Sequence, residues 1–175
     1  MLLTGDLDAH YNDTANQKAH AEQQGHLTAR VQESHQAVHE GATHLEKIVG
    51  ALTEHRKNIG IHTQIDIAVK TITKHHETIQ NALEAHATAL NNHQKNGTFM
   101  SKKDVKKHAD TVKNTIKAIR TENKVMDIHG DLTTKEHAQR MEAQLDHMQA
   151  TIEREEEEAE KAADHAAAMA AKQHP

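Results

Sequence analysis

Apolar residues recur along this chain at alternating steps of three and four, with polar residues between them. From Leu27 the series Leu27, Val31, Ser34, Val38, Gly41, Leu45, Ile48, Leu52, His55 and Ile59 forms one seam. Ile61, Ile65, Ala68, Ile72, His76, Ile79, Leu83, His86, Leu90 and His93 form a second, whose phase does not continue the first. A third runs Val105, Ala109, Val112, Ile116, Ile119, Asn123 and Met126. The fourth is Ala138, Met141, Leu145, Met148 and Ile152, fading into Glu155, Ala159, Ala162, Ala166 and Met169. This spacing lays one stripe along a helix and is the heptad pattern of bundles and coiled coils. No stretch reads as a strand.

The seams are punctuated. His55-Arg56-Lys57-Asn58 precedes Gly60, and His93-Gln94-Lys95-Asn96 precedes Gly97; a cationic last turn followed by Asn and Gly stops a helix. His129-Gly130-Asp131 signals a further turn, Ser101 with Asp104 can cap the third helix, and Thr133 with Glu136 forms a capping box for the fourth. Gly41, followed by Thr43 and Glu46, predicts a kink or restart at 41–43. The fold class is therefore all-α: an elongated antiparallel helical bundle or coiled coil of about four long helices. Residues 1–24, where the period is weak, form a polar N-terminal arm or short helix. Residues 25–96 form a first helical hairpin turning near 58–61, where a bend in one helix is the alternative. Residues 101–160 form a second hairpin turning near 129–132, and 161–175 an Ala-rich helical extension.

Composition narrows this picture. Among 175 residues there is one Tyr, one Phe and no Trp, and the large aliphatics are sparse, so the seams should be narrow and gain burial from other protein subunits, as a homo- or hetero-oligomer. A net charge of −5 gives no global attraction to nucleic acid or an anionic membrane. Without cysteine there are no disulfides, thiolate zinc sites or cysteine nucleophiles. The chain lacks a signal-peptide pattern and any apolar run of about 18 residues, so a soluble protein without membrane insertion is expected.

Charge is segregated within the second hairpin. Lys102, Lys103, Lys106 and Lys107 lie on one arm, and Glu155, Glu156, Glu157 and Glu158 on the other. Folding back near Gly130 sets these groups beside each other as interhelical charge pairs. The basic arm could track phosphates, but no aromatic interleaves it for stacking and the acidic arm can neutralise it, so nucleic-acid binding is not expected.

The chain carries eighteen histidines. None has Glu three residues before it, as a di-iron bundle requires, and no His-Glu-x-x-His occurs. His35 and His39 form the single i,i+4 pair and could give two imidazoles to a divalent transition metal. The plainer reading of that pair is a polar flank beside Val31 and Val38, since two ligands without a third make no selective site. His55, His76, His86 and His93 fall in the seam, where an imidazole is tolerated neutral but not charged unless a carboxylate is near. Protonating eighteen imidazoles would reverse the sign of the net charge, so these four are candidate pH sensors; polar filling of helices is the plainer alternative.

Catalysis has little support, because no Gly-rich phosphate loop occurs and narrow seams leave little room for a water-excluding pocket. The leading expectation is a non-enzymatic structural or scaffolding subunit of a larger multi-protein assembly, such as a virion or secretion-apparatus component, with no cofactor. The alternative is a histidine-rich, pH- or metal-responsive helical binding module. The first predicts an isolated chain that is oligomeric or partly folded; the second, a stable monomer whose melting temperature rises with Zn or Ni.

Overall fold

The computed structural model describes the backbone of residues 4–173 and the side chains of residues 14–171. Four helices follow one another: α1 (Thr4–Lys57), α2 (Thr63–Asn96), α3 (Lys102–His129) and α4 (Leu132–Gln173). Each packs against two neighbours, in the cyclic order α1, α2, α3, α4. The α1–α4 pair is antiparallel: Gln24 meets Ala162 at one end and His55 meets Asp131 at the other. The molecule is thus an all-α, up-down-up-down bundle. The α1–α2 and α3–α4 turns share one end, and the α2–α3 turn occupies the other.

The turns fall where the chain is punctuated. The α1–α2 connection is a true turn, with Gly60 at φ +86°. Gly97 closes α2 at φ +68°, and the Thr98 amide donates to the His93 carbonyl at 2.9 Å, the Schellman arrangement that Gly at this position permits. Ser101 caps α3 by accepting from the Asp104 amide. The fourth helix differs from expectation: it starts at Leu132, and Asp131 rather than Thr133 is its cap, accepting a hydrogen bond from the Thr134 hydroxyl. An Asp two positions ahead of Thr133 satisfies the free amides earlier than the predicted box would.

Two further differences concern α1. It runs continuously from Thr4, so residues 4–24 belong to α1 and do not form a separate element; Met1 to Leu3 lie outside the described residues. Nor does it restart at Gly41. A Cβ at Gly41 would sit 2.8 Å from Met148 Cγ and 3.2 Å from Gln144 Nε2, so glycine here allows α4 to approach α1 closely. Gln144 Nε2 also donates to the Gly41 carbonyl across that contact. The Ala-rich end of α4 rests on the first half of α1: Ala159 and Ala162 are buried, and Gln24 Nε2 donates to the Ala162 carbonyl at 3.3 Å. Small side chains suit this narrow end of the bundle because they leave little unburied apolar surface.

Most seam residues are buried as their period demands, but Ile59 and Ile61, placed at the ends of seams by spacing, stand exposed in the first turn. The buried apolar residues form two separate clusters. The larger includes Val38, Leu83, Val112 and Ile152 and runs to the double-turn end. The smaller comprises Leu27, Val31, Met100, Val105, Ala159 and Ala162, near the α2–α3 turn. Between them lies a layer that is not apolar. Among the described residues, no helix is long and apolar enough to cross a membrane.

Candidate metal centre

The layer between the two clusters is built from one residue of each helix: His35 on α1, His86 on α2, His108 on α3 and Glu155 on α4. Each lies at nearly the same depth from the double-turn end. His86 is 23 residues after Thr63 and Glu155 is 23 after Leu132, while His35 is 22 before Lys57 and His108 is 21 before His129. At about 1.5 Å per residue these counts bring all four to one level. Apolar neighbours one turn to either side, such as Val31 and Val38 around His35, hold each helix in place.

Glu155 is the centre of the layer. Its side chain is 1% exposed, and its Oε1 lies 3.1 Å from Nδ1 of His35 and 3.1 Å from Nδ1 of His86. The His86 ring packs edge-on against His35, with centroids 5.0 Å apart, and lies flat on His108 at 4.6 Å with planes 5° apart. Burial first, then the neighbouring His35 and His108, push the His86 imidazole down to about 3. Burial likewise lowers His108, against the pull of Asp104 and Glu155. His86 is therefore held neutral at physiological pH, the form in which an imidazole donates a lone pair to a metal.

The layer is incompletely satisfied by protein. Nε2 of His35, Nε2 of His86 and Oε2 of Glu155 are buried without a hydrogen-bond partner, and an orphaned buried polar atom costs roughly 1–3 kcal/mol. One ligand atom from each of His35, His86 and Glu155 can be chosen so that all lie within 4.8 Å of one another. The 3.1 Å separations are close to the roughly 3.3 Å between ligand atoms around a tetrahedral ion with bonds of about 2.0 Å. Two imidazoles and one carboxylate form a donor set that suits zinc and its first-row neighbours. Among the described residues this is the one group with such a geometry.

The structure sorts the sequence candidates differently from their grouping by spacing. His35 joins the layer, whereas His39, its i,i+4 partner, is exposed. Of the seam histidines, His86 belongs to the layer and the other three do separate work. His76 is buried with Nε2 2.8 Å from the Ala42 carbonyl, tying α2 to α1. His93 Nδ1 contacts the Thr98 hydroxyl at the α2 stop. His55 Nε2 lies 2.8 Å from Asp131 Oδ2 at the double-turn end. There, although burial works the other way, the Thr134 hydroxyl and His55 hold the Asp131 carboxyl down to about 2.

Among the described residues none of Lys102, Lys103, Lys106 and Lys107 forms an ion pair with any of Glu155, Glu156, Glu157 and Glu158; other charges join α3 to α4. Lys102 meets Asp164 at 2.8 Å, and Lys113, not one of the four expected lysines, meets Glu156 at 2.7 Å. Lys106 pairs with Asp110 on its own helix, and Glu157 and Glu158 with Lys161 on theirs. Lys103 and Lys107 are exposed, and Glu155 is turned inward to the histidines. Nearer the turn, Asn123 and Arg120 tie α3 to α4: Asn123 Nδ2 donates to the Ala138 carbonyl at 2.8 Å, and Arg120 bridges Glu142 and Asp146.

His108 escaped the sequence reading because it flanks its seam. The signal that could have found it is the common distance of the four residues from one end of the bundle. No protein-family profile, curated protein or solved structure matches this chain.

Proposed function

We propose that this protein is a non-enzymatic metal-responsive helical module that takes up a divalent transition ion, Zn²⁺ or a close neighbour, between His35, His86 and Glu155. The observation that carries the reading is the convergence of two imidazole nitrogens on one buried carboxylate oxygen, each at 3.1 Å, from three different helices. An ion held there ties α1, α2 and α4 together and stabilises the folded bundle according to its occupancy, by about 2.7 kcal/mol at a free concentration one hundred times the Kd. The response to the ion is thus a change in bundle stability.

The test is a zinc titration followed by calorimetry and by melting temperature. The parent should melt higher with Zn²⁺, and Glu155→Gln and His86→Ala should each weaken binding by about 10–100-fold or more. His39→Ala controls for surface histidines and should bind as the parent does. Equal affinity in the parent and Glu155→Gln overturns the reading.

A second reading, a structural subunit joined to other protein subunits, is favoured by a different observation. Ile59, Ile61, Ile67, Ile128 and Leu132 are exposed, and all five sit on or beside the two turns at one end of the bundle. Such a concentration of aliphatic surface supports end-on association. Sedimentation of the parent against Ile61→Asp/Leu132→Asp tests it: association in the parent that the variant lacks supports the reading, and a parent that sediments as a monomer at all concentrations removes it.

A further inference from the structure

The end of the bundle that carries both turns holds a pair of histidines between them. The rings of His62 and His129 lie 5.8 Å apart between centroids and join the α1–α2 turn to the last turn of α3. Ile61 precedes the first in sequence and Ile128 the second. Together with Ile59, Ile67 and Leu132 they leave on the order of 600 Å² of aliphatic surface in water. A standard interface buries roughly 800 Å² on each partner, so this end supplies most of what one partner must contribute.

The fixed charges beside the patch are matched within the chain. Arg56 is buried, donates to the Gly60 carbonyl of the first turn and reaches both Asp66 and Asp131, while Lys57 pairs with Glu54. An apolar, locally neutral face of this kind selects no oppositely charged partner. It meets its own two-fold copy without repulsion, in the isologous contact that makes most homodimers.

His62 does its local work as a neutral ring. It is the N-cap of α2: its Nδ1 accepts the Ile65 amide at 3.3 Å, and its own amide donates to Asp66 at 3.2 Å. An imidazolium carries N–H at both ring positions and accepts nothing. A second proton on His62 therefore ends the cap and sets a positive charge at the positive end of a helix. The nearby carboxylates are already engaged, Asp66 by Arg56 and the His62 amide, Asp131 by Arg56, His55 and the Thr134 hydroxyl. From α3 the exposed Asp127 adds to this end, and from α4 the half-buried Lys135 and His137.

We propose that two copies of the chain associate head to head through this end, and that protonation of His62 and His129 parts them. This rests on the end-on reading above, whose partner and control it specifies. Across a two-fold contact, acid places four imidazolium groups on one apolar surface and undoes the cap that fixes the turn carrying Ile59 and Ile61. The dimer forms near neutral pH and separates as the imidazoles charge, between about pH 8 and 5.

Sedimentation velocity of the full-length protein at pH 7.5 and 5.5, in EDTA to remove any metal bridging between histidines, provides the test. The parent should associate at pH 7.5 and lose about tenfold or more in affinity at pH 5.5. His62→Asn/His129→Asn, whose asparagine caps α2 without titrating, should associate alike at both, with its helicity checked by circular dichroism. Acid acting elsewhere in the bundle would weaken parent and variant together. A parent that stays monomeric at pH 7.5 overturns this inference and the end-on reading with it. Equal affinity of the parent at the two pH values, or an equal acid loss in the variant, overturns the proton-driven release alone. If the double variant does not fold, His129→Asn, which disturbs no cap, should shrink the acid loss by about threefold, and an undiminished loss overturns the release in the same way.

Discussion

The imidazole of His86 lies flat on that of His108, with centroids 4.6 Å apart and planes 5° from parallel. Two rings so placed cannot both be charged without strong repulsion, and the burial that dominates the environment of His86 penalises even one charge. The groups facing His86 are His35 from α1, His108 from α3 and Glu155 from α4. Only the last is acidic, and it does not offset the burial.

Acid should therefore loosen the metal-free bundle. The folded-state value of His86 lies near 3 against 6.5 in the unfolded chain, so between these values the unfolded state binds the additional proton. Stability is fully present above pH 6.5 and falls as the pH drops toward 3, at up to about 1.4 kcal/mol per unit. His137, lowered chiefly by burial, adds to the same trend. Asp131, depressed to about 2, adds a second loss below its ordinary value of 3.8. Urea denaturation in EDTA at pH 7.5, 5.5 and 4.5 should give steadily lower midpoints, and a flat profile would contradict the burial of His86.

Replacing the polar layer by apolar residues should strengthen the metal-free protein. His35→Leu/His86→Leu/Glu155→Leu removes three orphaned polar atoms and joins the two apolar clusters. The expected gain is about 1–4 kcal/mol, the range for buried charged groups exchanged for packed hydrophobic ones. The same variant should lose all response of its melting temperature to Zn²⁺. Together these outcomes would mark the layer as retained for binding and not for stability.

Gly41→Ala should destabilise despite the better helix propensity of alanine. The new methyl would stand 2.8 Å from Met148 Cγ, and overpacking of this kind costs about 1–3 kcal/mol against a propensity gain of about 1. A net fall of about 2–4 °C in melting temperature is expected. Combining it with Met148→Ala should cost less than the sum of the two single changes, as a double-mutant cycle would measure.

Asn123→Ala should cost about 1–3 kcal/mol. The side chain is 1% exposed, and its amide bonds both the Ala138 carbonyl and Glu142, so truncation leaves a buried carbonyl without its donor. Asn123→Leu should recover stability while loosening the α3–α4 register, since a buried Asn pays for its place by specifying alignment. Crosslinking between Lys102 and Asp164, which pair at 2.8 Å, would fall in that variant if the register slips.

The helices and turns were legible in the chain because their causes are local. A stripe repeating every three or four residues makes an amphipathic helix wherever it occurs, and Gly60 and Gly97 stop helices through their own backbone freedom. The candidate site was visible only in fragments: His35 stood out for its spacing to His39, His86 for its place in a seam, and Glu155 for its part in an acidic run. That these three meet depends on the close packing of α4 on α1, which Gly41 permits, and on the equal depth of four residues on four helices. Periodicity says which face of a helix is buried but not which faces share a level, because that is settled by side chains distant in sequence fitting against one another. The residues themselves determined an all-α bundle with three turns; only its tertiary packing decided that two histidines and a glutamate would share one buried layer.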